Sequence, residues 1–221
     1  MRISHFLALS SIVMSGLLAC RPVQHSNFGV EGWQGRRMTG ETVQFQSLGG
    51  PGLVLNVYRP SCGPCNEELP ALNQLYVEAR QRGIPMYLVV TAFPNDHGLE
   101  LAENTGPEQR FQAIRDRLAQ DQQKYSIAPP LVIMEDTFRV APANGLITGT
   151  PETLFFRREP LVLEYNFIGA ISHRQTPEEL AGDSRYLFAV NVLDRMRSVS
   201  SGFRPPESST GYGDSDRSRD G

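Results

Sequence analysis

The sequence is short of cysteine, of basic runs and of long apolar stretches, and each shortage excludes a class of protein. Three cysteines occur in 221 residues: Cys20, Cys62 and Cys65. Two of them stand as a Cys-x-x-Cys, so no further pair remains to staple the fold, and the core has to hold without structural disulfides. No basic run exceeds the pairs Arg36-Arg37 and Arg157-Arg158, and a formal net charge of −3 gives no reason to expect nucleic acid as a partner. The four histidines, His5, His25, His97 and His173, are scattered along the chain. A structural zinc site takes about four ligands, commonly with a second Cys or His pair at motif spacing. No such pair accompanies Cys62 and Cys65, so no metal and no bound cofactor is expected. The apolar run from Phe6 to Ala19 falls short of the ~20 residues that span a bilayer.

What the chain does have is the make-up of a globular protein with a core: 40% hydrophobic and 20% charged residues, at a length that suits one domain with extensions. Its most informative stretch is Val54 to Pro70. An apolar run of strand propensity, Val54-Leu55-Asn56-Val57-Tyr58, is stopped by Pro60. Cys62-Gly63-Pro64-Cys65 follows, and from Glu67 the residues turn helix-forming. The first sulfur is therefore expected at a helix N-terminus, where unpaired backbone N–H groups and the helix dipole favour thiolate over thiol. Cys62 reads as the nucleophile and Cys65, one turn further in, as the resolving thiol. A structural disulfide in a short loop is the competing reading, which Gly-Pro at a helix start disfavours.

Around this stretch the rest of the chain falls into place. Residues 1–19, with Arg2 ahead of the apolar run, have the composition of a secretory signal peptide. Leu17-Leu18-Ala19-Cys20 resembles a bacterial lipobox, in which the cysteine is lipidated and becomes the new N-terminus. An ordinary signal peptide with a chance cysteine is the alternative. Arg21 follows where an aspartate would signal inner-membrane retention. Residues 20–41, polar and rich in glycine, are expected to be a flexible tether. A short edge strand is expected over 42–45, the Cys-x-x-Cys helix to about Arg82 with a bend at Pro70, and a buried strand over 84–90. Strand, helix and strand here imply a right-handed parallel βαβ unit. A loop from Phe93 to Gly106 and a polar helix over 107–124, with Phe111, Ile114 and Leu118 on one face, make an insertion. Strands are expected over 131–134, after Gly149-Thr150-Pro151, and over 161–167. Thr176-Pro177-Glu178-Glu179 is a capping box, opening a last helix to about Ser198 with Leu180, Leu187, Val190 and Leu193 inward. Residues 200–221 are expected to be disordered.

The domain over 42–199 resembles the thioredoxin superfamily, and within it the TlpA/ResA/CcmG group of extracytoplasmic thiol–disulfide oxidoreductases. The resemblance is carried by Cys62-Gly63-Pro64-Cys65, by Asn56 where cytoplasmic thioredoxins have an aspartate, by Glu68 and Pro70 after the second cysteine, and by Gly149-Thr150-Pro151. It implies an α/β thioredoxin-like fold: a central mixed sheet flanked by helices, with an N-terminal strand and a helical insertion. It implies a cis peptide at Pro151 that brings the Thr150 backbone beside the sulfurs, where it pairs with an extended substrate segment alongside Gly63 and Pro64. It implies that Glu68 helps move a proton from Cys65. The residues alone leave Pro151 open to an ordinary trans proline, Glu68 to a solvated helix position, and Asn56 to a polar residue satisfied by backbone. Ser61 stands where the family usually has tryptophan. His97 and His173 read as surface or loop residues.

The expectation is then a lipid-anchored, periplasmic or otherwise extracytoplasmic protein-disulfide reductase of the bacterial cell envelope, needing only the redox-active Cys62–Cys65 disulfide. Its partners would be protein disulfides, and the resemblance implies a membrane electron donor of thiol-reductase type and apocytochrome c as one candidate client. A disulfide oxidase or isomerase, and a binding module that keeps the fold without turnover, are the rival readings. All of them require Cys62 to reach the surface and Pro151 to lie beside it.

Overall fold

The structure is a computed structural model that describes residues 30–141, 145–158 and 161–202. The expected leader, Cys20 and the tail from residue 203 onward lie outside the described residues. Seven strands form one mixed sheet: β1 (Gln34–Arg37), β2 (Thr42–Gln44), β3 (Gly52–Val57), β4 (Met86–Val90), β5 (Leu131–Met134), β6 (Glu152–Arg157) and β7 (Val162–Ile168), in the order β2-β1-β5-β4-β3-β6-β7. The helices are α1 (Gly63–Gln81), α2 (Pro107–Tyr125), α3 (Pro177–Leu180) and α4 (Ser184–Gly202).

β3, β4 and β5 are parallel neighbours, joined by α1 and α2 as crossovers. Parallel strands with both faces covered read as unbroken apolar runs, and every residue of β3, β4 and β5 is buried. Both crossovers step across the sheet in the same direction, so connections of one hand lay both helices on one face. Leu69, Leu72 and Leu75 of α1, Ile114 and Leu118 of α2, and Ala189, Val192 and Leu193 of α4 share that core with Val54, Leu88, Ile133 and Phe155 of the sheet. The opposite face carries the alternate residues, Leu53, Leu55, Val57, Val89 and Leu154. It is covered by turns and loops: Val30, Phe45, Phe138 and Ile147 close it, with Trp33 edge-on to Phe138 at 5.1 Å. This is the thioredoxin-like α/β arrangement, with a small N-terminal β1–β2 hairpin at one edge and β7 at the other.

Three boundaries differ from expectation. Residues 34–37, expected within the tether, form β1, which pairs antiparallel with both β2 and β5. Gly35 is there for close approach: a Cβ on it would lie 2.6 Å from the Ile133 carbonyl and from Val132 Cγ1. The last helix is broken in two. The Thr176 capping box forms as expected, but α3 stops at Leu180, and Asp183 caps a new start by accepting from the backbone N–H of Arg185 (2.9 Å) and Tyr186 (3.1 Å). The break shifts the inward face of α4 to Tyr186, Ala189, Val192, Leu193 and Met196, and leaves Leu187 exposed. α4 also runs on to Gly202, into the stretch expected to be disordered.

Candidate active site

β3 ends at Val57, Tyr58-Arg59-Pro60-Ser61 turns the chain, and α1 starts at Gly63 with Cys62 as its N-cap. The turn is closed by the Cys62 N–H donating to the Arg59 carbonyl at 3.0 Å. It is clamped a second time by Asn66, which accepts from the Tyr58 hydroxyl (2.8 Å) and donates to the Pro60 carbonyl (3.2 Å). Pro64 sits in the first helical turn, where a missing N–H costs nothing. Cys62 and Cys65 are joined in a disulfide with their Cα atoms 5.2 Å apart.

The two sulfurs differ in access and in surroundings. Cys62 keeps 6% of its surface exposed and Cys65 1%, and Ser61, Gly63 and Pro64 around Cys62 are all exposed. The Cys62 sulfur accepts from the Cys65 backbone N–H at 3.2 Å, so one of the free donors of the helix start already points at it. The peptide bond between Thr150 and Pro151 is cis, and the Thr150 carbonyl oxygen lies 3.6 Å from the Cys62 sulfur. Residues 88 apart in the chain thus meet at one edge of the sheet.

Glu68 lies one turn past Cys65, fully buried. Its Oε1 accepts from the Ile171 N–H at 2.6 Å, and Asn56 Nδ2 lies 3.5 Å from Oε2. Burial dominates over these donors and pushes the Glu68 carboxyl up to about 7. The solvated-helix reading of Glu68 is therefore wrong, and so is the backbone-satisfied reading of Asn56, whose amide donates to Thr153 Oγ1 at 2.8 Å.

The model of the AhpC/TSA family matches residues 26–148. The chain belongs to the AhpC/TSA family. The match takes in β1 to β5 with both cysteines and stops short of Pro151. Among relatives, the thiol-disulfide oxidoreductase ResA of Oceanobacillus iheyensis is 29% identical over 114 residues, covering 48% of this chain and 52% of that protein. ResA of Bacillus thuringiensis is 28% identical over 71 residues, 28% of this chain and 41% of that protein. The chain thus spans about half the length of these relatives. Among solved structures, a thiol:disulfide interchange protein from Bacteroides sp. is 16% identical with a TM-score of 0.48, covering 73% of this chain and 86% of that one. A thioredoxin-family interchange protein from Chlorobium tepidum TLS is 17% identical with a TM-score of 0.46, covering 71% and 92%.

Some of the site of this AhpC/TSA chain was not visible in its sequence. The turn Pro94–His97 packs against the cysteine loop, with the Ser61 hydroxyl donating to the Asp96 carbonyl at 3.3 Å. Asp96 accepts from the Thr91 hydroxyl at 2.6 Å. His97, expected to be a surface or loop residue, lies in this turn but is buried; its Nε2 donates to the Thr91 carbonyl at 2.8 Å, and burial pulls its pKa down. A short polar turn gives no periodicity from which such burial is read. His173 is exposed, 3.3 Å from Glu67. A cleft of about 250 Å³ opens between Tyr58, Arg59, Thr91, Asp96 and the 148–150 loop. Among the described residues no His/Cys/Asp/Glu group is arranged to hold a metal ion, and no helix is long and apolar enough to cross a membrane.

Proposed function

We propose that the protein is a thiol–disulfide oxidoreductase that reduces protein disulfides through Cys62 and Cys65. The observation that carries this is the asymmetric pair at the start of α1. Cys62 is the more open of the two, at 6% exposure against 1%, and its sulfur accepts a helix N–H and faces the cis-Pro151 loop. In the dithiol form, the Cys62 thiolate attacks a client disulfide, and the client's second sulfur leaves as thiolate and takes a proton from water. The Cys65 thiolate then attacks the Cys62 sulfur of the mixed disulfide and expels the client's first sulfur. Two electrons have passed to the client, and the chain is left as the Cys62–Cys65 disulfide. A dithiol reductant must restore it, and a membrane electron donor of thiol-reductase type fits that need in an oxidising compartment.

Glu68 serves the second attack. A carboxyl held near neutrality accepts the Cys65 proton at physiological pH, when the resolving thiol has to ionise inside the protein. Thr150 offers its backbone to an extended client strand, with Gly63 and Pro64 as the opposite wall. The leader, lipidation at Cys20 and a cell-envelope location complete the reading, supported by the lipobox-like Leu17-Leu18-Ala19-Cys20. The relatives named ResA support the chemistry and leave the client open.

Insulin reduction with dithiothreitol as electron source tests the reading. The wild type is expected to accelerate it and Cys62→Ser to abolish the acceleration. A wild type no faster than dithiothreitol alone, or a Cys62→Ser variant that keeps its rate, contradicts it.

A further inference from the structure

β6 opens with two buried polar residues that point to opposite faces of the sheet. Thr153 meets Asn56 on the helix-covered face. Glu152 turns to the other face, fully buried, and accepts four hydrogen bonds. Its Oε2 accepts from Thr148 N (2.8 Å), Thr148 Oγ1 (3.1 Å) and Gly149 N (3.0 Å). Its Oε1 accepts from Asn166 Nδ2 at 2.6 Å, and the same Asn166 amide lies 3.4 Å from the Leu146 carbonyl. Both carboxyl oxygens are thus used as acceptors.

The start of a buried strand needs no charge, and a valine there would satisfy the core. A buried carboxylate is costly unless its oxygens are fully paired. This one is paired with the loop that leads into Thr150, the residue whose carbonyl stands 3.6 Å from the Cys62 sulfur. No side-chain packing holds the loop on the open side of Gly149, where a Cβ would meet nothing within 4 Å. We propose that Glu152 is a positioning residue for client binding: it fixes Thr148 and Gly149 so that the Thr150 backbone faces the Cys62 sulfur at the depth an incoming strand requires. This rests on the oxidoreductase reading above and adds the group that sets its binding edge. Glu152 touches neither the sulfurs nor the client. Its effect falls on how well a polypeptide docks, and the sulfur chemistry that follows is left to Cys62, Cys65 and Glu68.

Steady-state insulin reduction separates docking from chemistry. Glu152→Gln keeps the shape and presents an amide donor to a ring of donors. It is expected to raise KM for insulin about tenfold while kcat stays within about twofold of wild type. A purely structural role would instead lower the thermal midpoint and leave KM where it was. Thr148→Val removes a single donor and keeps the fold should the glutamine variant not fold; its KM is expected to rise about threefold. A wild-type KM in the folded variants, or a fall in kcat at unchanged KM, overturns the positioning role while leaving the oxidoreductase reading intact. A wild type that does not reduce insulin overturns that reading and this one with it.

Discussion

Glu68 is a carboxyl shut away from water. Held up to about 7 by burial, it binds its proton more tightly in the folded chain than in the unfolded one, where 4.5 is the ordinary value. The sign follows from linkage: its contribution to stability is fully present below about 4.5, declines as pH rises, and is gone above about 7. His97 acts in the opposite sense, since burial lowers its pKa and the fold loses stability as pH falls below its ordinary 6.5. Subtracting a Glu68→Gln variant isolates the glutamate. In urea unfolding the variant is expected to gain on the wild type between pH 5 and pH 8, by roughly 3 kcal/mol at most. A difference that stays flat across that window, or grows in favour of the wild type, contradicts the buried placement of this carboxyl.

At the scale of elements, the parts legible in the sequence were those written as long periodic or apolar runs. The strand into Cys62, the helix after it, Leu131–Met134 and the capping box at Thr176 stand where the residues place them. Gly83, at φ +68, ends α1 as a left-handed position should. The misreadings have two sources, a tertiary contact that composition does not announce and a local cap that breaks a periodic run. Glycine between polar residues reads as a tether, yet Gly35 is what lets β1 lie against β5. Gly182-Asp183 reads as part of one helix, yet the aspartate oxygen caps a second one and rotates the buried face. The site followed the same division. Cys62, Cys65 and Pro151 sit in recognisable motifs. The Ser61–Asp96 contact joins segments 35 residues apart, while Glu152 and His97 bond to loop residues three to six positions away, in stretches with no periodicity to read.

At the scale of the molecule, the fold sets one reactive edge. The C-terminal ends of parallel strands are where open α/β sheets place their ligands, and β3 delivers Cys62 there. β6, antiparallel to β3, begins at the same edge and carries Thr150 and Pro151 to it. Whether that edge works at a membrane turns on Cys20. Acyl chains on one residue anchor a protein stably when more than one is attached. Cys20→Ala is expected to move the protein from the membrane fraction to the soluble fraction of its host cell, and a variant that still sediments with membranes contradicts the anchor.

The reach of the Cys62 sulfur underlies every step of the chemistry, and alkylation of the reduced protein measures it. With limiting iodoacetamide at pH 7, followed by digestion and mass spectrometry, Cys62 is expected to take the label first and Cys65 to take it only after unfolding. Equal labelling of the two, or labelling of Cys65 ahead of Cys62, contradicts the assignment of nucleophile and resolving thiol.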